Sequence, residues 1–134
     1  MRQINKRCII FSVCKGIDEK RDNEATAEVI KRLTLNNIPF KLVQGCYCGV
    51  EAQSFLAEVG DLVKHHCVRS ICEQYNQESF LFLDEDRNAK IVPIHHGISL
   101  RGKFIQVSEE RAKAGLYYTK DLSTGLYYII EWDE

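Results

Sequence analysis

Gly45-Cys46-Tyr47-Cys48-Gly49-Val50-Glu51-Ala52 brings a glycine-bracketed aromatic and an acid together where one expected strand hands over to the next. Small, polar and aromatic residues at a strand boundary suit a small-molecule site. Three kinds of chemistry are open to this region and to the polar residues elsewhere. Cys46-x-Cys48, His65-His66-Cys67 and His95-His96 supply the thiolates and imidazoles that zinc takes. Their spacing is poor, because adjacent histidines on a helix point about 100° apart and rarely chelate one ion. The plainer reading makes Cys67 core, His65 solvated and His95-His96 a loop before Gly97. Cys46 or Cys48 as a thiolate, with a histidine as base, is the second option, but no local signature identifies the base. The third is a site of Tyr47 with Glu51 and Glu58, needing neither metal nor nucleophilic side chain.

The elements that position these residues follow from hydrophobic period. Cys8-Ile9-Ile10-Phe11-Ser12-Val13-Cys14 is a short apolar run rich in β-branched residues and reads as a central strand covered on both faces. Lys15 to Arg21 leaves it as a polar loop. Asp22 or Asn23 can cap a helix in which Thr26, Val29, Ile30 and Leu33 fall at i, i+3, i+4 and i+7; Asn36-Asn37 and Pro39 end it. Pro39 to Gln44 is a second strand and Gln53 to Val59 a third, on which Glu58 points away from the Phe55 face. Asp61 caps a second helix with the stripe Val68, Ile71, Cys72 and Tyr75. Ser79 to Leu83 and Ala89 to Ile94 form a hairpin about the turn at 84–88. Further strands are expected at Gly102 to Val107, Leu116 to Thr119 and Leu126 to Trp132. The order strand, helix, strand, strand, helix, strand predicts an α+β sandwich of ferredoxin-like type, with a mostly antiparallel sheet, two main helices and a β-rich C-terminal tail.

The 134 residues are 45% hydrophobic, enough for one compact domain over 1–134 without an internal linker. Eighteen basic and nineteen acidic residues give a net charge of −1, which leaves no electrostatic footprint for a nucleic-acid backbone or an anionic membrane. The apolar run Cys8 to Cys14 is too short for a signal-peptide core. Six cysteines without a secretory signal read as reduced thiols in a cytosolic protein.

Gly45-Cys46-Tyr47 followed by Glu51-Ala52 resembles the phage-encoded S-adenosylmethionine lyases, long described as S-adenosylmethionine hydrolases. The likeness is spread along the chain: Phe11-Ser12-Val13-Cys14 before a polar loop, Ile71-Cys72 before an aromatic, Gln77-Glu78 before an apolar strand, Gly102-Lys103-Phe104-Ile105-Gln106-Val107, and a last strand with Trp132. The resemblance implies a homotrimer related in shape to PII-type signalling proteins, with active sites between subunits and no cofactor. It implies intramolecular displacement giving 5′-methylthioadenosine and L-homoserine lactone. A tyrosine after the second strand and a glutamate near the following strand are the family's functional pair. Tyr47 matches the first; Glu58 keeps the usual tyrosine-to-glutamate separation and is slightly preferred, while Glu51 keeps the place before the strand. Ser12, Cys14, Glu78 and Phe104 are the candidate substrate-binding positions, Glu78 as the lesser candidate for the ribose hydroxyls because paired acceptors for a diol are a usual carboxylate task. The resemblance also implies action in a host cytoplasm against methylation-dependent restriction. An adenylated S-adenosylmethionine conjugate as substrate would call for basic groups, of which Lys15, Arg87 and Arg101 are available. The alternative is a PII-like trimeric regulator that holds an adenine nucleotide and does no chemistry.

Overall fold

The computed structural model describes residues 6–14, 18–47, 49–95 and 97–133, and of Tyr47 the backbone alone. The elements run β1 (Cys8–Phe11), α1 (Glu19–Leu35), β2 (Phe40–Tyr47), β3 (Val50–Glu58), α2 (Leu62–Gln74), β4 (Ser79–Leu83), β5 (Asn88–Pro93), β6 (Leu100–Val107), α3 (Glu109–Ala114), β7 (Tyr118–Asp121) and β8 (Tyr127–Trp132). All strand pairs are antiparallel, and the order β1-β3-β2-β7-β8-β6-β5-β4 closes on itself where β4 pairs with β1.

The expected ferredoxin-like, PII-like sandwich is therefore incorrect: the sheet is an eight-stranded barrel. The expectation treated the last strands as a tail. In fact β5, β6, β8 and β7 bridge from β4 round to β2, and this closure leaves no free sheet edge among the described residues.

Alternation along the strands sorts the apolar residues into layers. Cys8, Ile10, Val43, Leu56, Leu83, Ala89, Phe104 and Tyr128 share the inner face and fill the barrel, with the Phe104 and Tyr128 rings stacked at 4.9 Å. Ile9, Phe11, Phe55 and Phe80 point outward and are covered by Val29 and Leu33 of α1 and by Val68, Ile71 and Cys72 of α2. Both faces of β1 are thus buried, which is why Cys8 to Phe11 reads as continuously apolar. A third layer packs Ala112 of α3 on Cys46, Tyr118 and Tyr127.

The local signals explain most boundaries. Asp61 caps α2 as expected, its carboxylate accepting from the Lys64 N–H at 2.8 Å. In α1 the cap is Asp18 rather than Asp22 or Asn23; Asp18 Oδ1 accepts from the N–H groups of Lys20 and Arg21, and Asp22 lies within the first turn. The first strand stops at Phe11, short of Cys14, and the third begins at Val50, ahead of Gln53. Asn37 and Asn76, each at φ 55°, stop the two long helices in the left-handed region that Asn tolerates. No helix among the described residues is long and apolar enough to cross a membrane.

Candidate active site

The β2–β3 hairpin is in tight register: Tyr47 pairs with Val50, Cys46 with Glu51, Gln44 with Gln53 and Phe40 with Ala57. Gly49 makes the turn at φ 81°, a conformation that side chains resist, and its N–H donates to the Leu116 carbonyl at 3.0 Å. The hairpin end is thereby tied to the segment entering β7. The side chain of Tyr47 and the whole of Cys48 lie outside the described residues.

Glu51 places its carboxylate at this end, hydrogen-bonded on both oxygens. One oxygen accepts from the Tyr118 hydroxyl and the other from Gln44 Nε2, the latter at 2.7 Å. Gln44, Cys46 and Glu51 lie on the outer barrel face, and Tyr118 pairs with Cys46 from the other side. Glu51 itself is exposed, whereas Tyr118 is 7% exposed. The hydrogen bond to Glu51, then burial, then the Glu51 charge push the Tyr118 phenol well above its ordinary value. The Tyr118 ring leans on Tyr127, whose hydroxyl donates to Glu109 of α3 at 3.3 Å.

Ser12 stands at the same barrel end. Its hydroxyl donates to the Gln53 carbonyl at 2.8 Å and accepts from the Cys14 N–H at 3.2 Å, locking the exit of β1 against β3 two residues from Glu51. Cys14 Sγ lies 3.7 Å from Thr26 Oγ1 of α1. Glu78 is exposed just before β4, its carbonyl accepting from the Ile94 N–H at 2.9 Å, and β4 runs antiparallel to β1, so this is again the Ser12 end.

Glu58 and Phe104 stand elsewhere. Glu58 is opposite Cys8 at the other end of β3, seven residues or roughly 23 Å along the strand from Glu51 at about 3.3 Å per residue. Phe104 is 3% exposed and is enclosed in the barrel by its stack on Tyr128. Arg87 forms the β4–β5 turn at φ 65°; Arg101 borders an open cleft of about 430 Å³ with Ser99, Leu100, Trp132 and Asp133; Lys15 lies outside the described residues.

No three His, Cys, Asp or Glu side chains among the described residues are grouped to hold a metal ion. His65, expected in solvent, is half-buried against Phe80 and Phe82 with ring separations of 6.1 and 5.7 Å, and burial holds its imidazole below the ordinary value. Cys67 packs against the core; His96 lies outside the described residues.

Tyr118 and Gln44 are the residues that sequence reasoning missed. Once Gly49 is recognised as the turn, hairpin register brings Gln44 and Glu51 together on one face; no local signal names Tyr118, because the β2–β7 pairing joins distant segments.

At this end of the closed antiparallel barrel the Glu51 carboxylate is held by Tyr118 and Gln44 and open to solvent, an arrangement that can accept hydrogen bonds from a small cationic group. The sequence profile of the S-Adenosylmethionine lyase family matches residues 9–131, most of the chain, and the chain belongs to that family. It is accordingly an enzyme, a carbon–sulfur lyase of the family whose substrate is S-adenosylmethionine. No curated protein matches it.

Proposed function

We propose that this enzyme converts S-adenosylmethionine to 5′-methylthioadenosine and L-homoserine lactone at the barrel end carrying Tyr47 and Glu51. The observation that carries the reading is the Glu51 carboxylate, held by two donors beside the Tyr47 hairpin yet exposed to a ligand. A carboxylate oxygen of the substrate attacks its own γ carbon, the C–S bond breaks, and the electron pair stays on sulfur. The leaving group is a neutral thioether, so it needs no general acid. What the protein supplies is a folded methionine arm, a near-attack arrangement worth up to about 7 to 11 kcal/mol of barrier.

Charge is annihilated along this path, since carboxylate and sulfonium both become neutral. A protein carboxylate against the sulfonium would stabilise the ground state more than the transition state. Glu51 therefore serves best on the α-ammonium, whose charge does not change. Tyr47 orients the methionine arm, Glu78 receives the ribose hydroxyls, and Ser12 and Cys14 border the site. Register puts Glu51, and not Glu58, at the end of the hairpin that carries Tyr47 within one subunit.

A neighbouring subunit of a homotrimer completes the site in this reading. Val50, Leu116 and Tyr117 are 69, 59 and 42% exposed beside Gly49, an apolar surface suited to a second copy. Cys8, Cys14, Cys46, Cys67 and Cys72 are free thiols, which suits the reducing cytoplasm of a host cell, where a phage enzyme that consumes the methyl donor would blunt methylation-dependent restriction. An adenylated conjugate is the second substrate we propose, with Arg101 and Trp132 as its cleft.

Incubating the protein with S-adenosylmethionine and following products by mass spectrometry tests the reading. Accumulating methylthioadenosine supports it; intact substrate, or saturable binding without consumption, contradicts it and returns the non-catalytic regulator.

A further inference from the structure

We infer that Tyr118 is a positioning residue for the lyase reaction, acting on Glu51 across Cys46, and that the smallness of residue 46 is what permits this contact. The inference rests on the reading that Glu51 grips substrate.

Cys46 is the cross-strand partner of both Glu51 on β3 and Tyr118 on β7. The three residues form one row on the outer barrel face, with the glutamate and the tyrosine two strand spacings apart, about 9.6 Å between Cα atoms. Residues that far apart in a sheet meet only when both side chains are long and lean over a short one between them. The Tyr118 hydroxyl and the Glu51 carboxylate do meet, above a cysteine that is 8% exposed and whose thiol turns aside to the Leu116 carbonyl at 3.6 Å. A branched or aromatic side chain at 46 would occupy the space through which the two reach each other.

The hydroxyl has one orientation to offer. Tyr118 is buried under Ala112 of α3 and against Tyr127, and Tyr127 is tied to Glu109, with Lys113 and Lys120 over its ring at 5.9 and 5.5 Å. The phenol is therefore a fixed donor, whereas Gln44, which also donates to Glu51, is only half-buried. Without Tyr118, Glu51 keeps its charge and its attraction for an ammonium but loses one of its two anchors. The cost then falls on alignment, which appears in kcat, more than on ground-state binding, which appears in KM.

The test uses the full-length protein and the variants Tyr118→Phe, Cys46→Ala, Cys46→Leu and Glu51→Gln, with melting curves to establish folding. Tyr118→Phe is expected to lower kcat about tenfold with KM changed less than threefold. Cys46→Leu should reproduce that loss, and Cys46→Ala should retain near-normal turnover. Wild-type kcat in Tyr118→Phe would overturn the inference, as would an equal loss in Cys46→Ala and Cys46→Leu. A second readout does not depend on turnover: ring-labelled tyrosine NMR, with Tyr118→Phe assigning the signal, should find Tyr118 ionising at higher pH in the wild type than in Glu51→Gln. Equal ionisation in the two would remove the contact and the inference with it. If the wild-type protein leaves S-adenosylmethionine intact, the functional reading fails, and this titration still decides whether Tyr118 anchors Glu51.

Discussion

Lys41 on β2 and Asp121 at the end of β7 form an ion pair, Nζ to Oδ2 at 2.5 Å, across the seam where the last strands of the chain meet the first. The Asp121 side chain is 4% exposed and also accepts from the Ser123 hydroxyl and N–H, at 2.7 and 3.0 Å. Burial pushes this carboxyl up, but the hydrogen bonds from Lys41 and Ser123 outweigh it and hold the group below its ordinary 3.8.

A depressed carboxylate contributes stability that is present above its unfolded value and is lost as pH falls through its folded value. The wild-type protein should therefore lose stability below about pH 4, and Asp121→Asn should show a shallower loss over that range. Asp121→Ala at neutral pH leaves Lys41 unpaired at the seam and should cost about 2 kcal/mol, tempered by the partial exposure of the lysine. Urea unfolding at several pH values measures both effects; an Asp121→Asn curve parallel to wild type from pH 7 to 3 would contradict the assignment.

Gly102 on β6 has no room for a methyl group. A Cβ there would lie 2.4 Å from the Glu131 carbonyl oxygen and 2.8 Å from Ile130 Cγ2 on the paired strand β8. The obstructing oxygen is backbone and cannot swing aside, so Gly102→Ala should destabilise by about 3 kcal/mol. Thermal melting checks this; a melting temperature equal to wild type would mean that β6 and β8 separate without cost. Gly60, with nothing near its Cβ position, is the control that should tolerate alanine.

Thiol reactivity should divide along the same lines as burial. Cys8 and Cys72 are fully buried, and burial, for Cys8 with help from the Glu58 charge, pushes both thiols up to about 12. Only the thiolate reacts, so at pH 8 both should stay unlabelled by a disulfide reagent while the half-buried Cys14 and Cys67 react. Peptide mapping after a short exposure resolves the sites, and rapid labelling of Cys8 in the folded protein would be inconsistent with a closed barrel.

Glu51→Gln should fold normally and lose about a hundredfold or more in kcat/KM, because the amide cannot neutralise an ammonium. Glu58→Gln, at the far end of β3, should lose less than threefold. Reversal of that order would return the functional carboxylate to Glu58, and with it a site shared between subunits at the opposite barrel end.

Much of this architecture was legible from local pattern. The apolar run from Cys8, the Asp61 cap, the stripe Val68, Ile71 and Cys72, and the hairpin about Asp84 all report forces within a few residues of themselves. Barrel closure was not legible, because pairing such as Val43 with Asp121 joins segments whose alternation says only that each is a strand. Helix α3 is absent from the elements expected above, although Ser108 followed by Glu109 and Glu110, with Lys113 near the end, is a capping and dipole pattern. At the site, alternation fixed which face Glu58 takes but not which end of the barrel it reaches; that needed the register of β2 against β3.

The most direct measurement is turnover of S-adenosylmethionine by chelator-treated protein in heavy-oxygen water, quenched early and read by mass spectrometry. The account predicts methylthioadenosine together with homoserine lactone free of label, since the oxygen that closes the ring is the substrate's own. Label entering homoserine at its γ oxygen from the earliest time point would mean that water attacks directly, and would contradict the intramolecular mechanism.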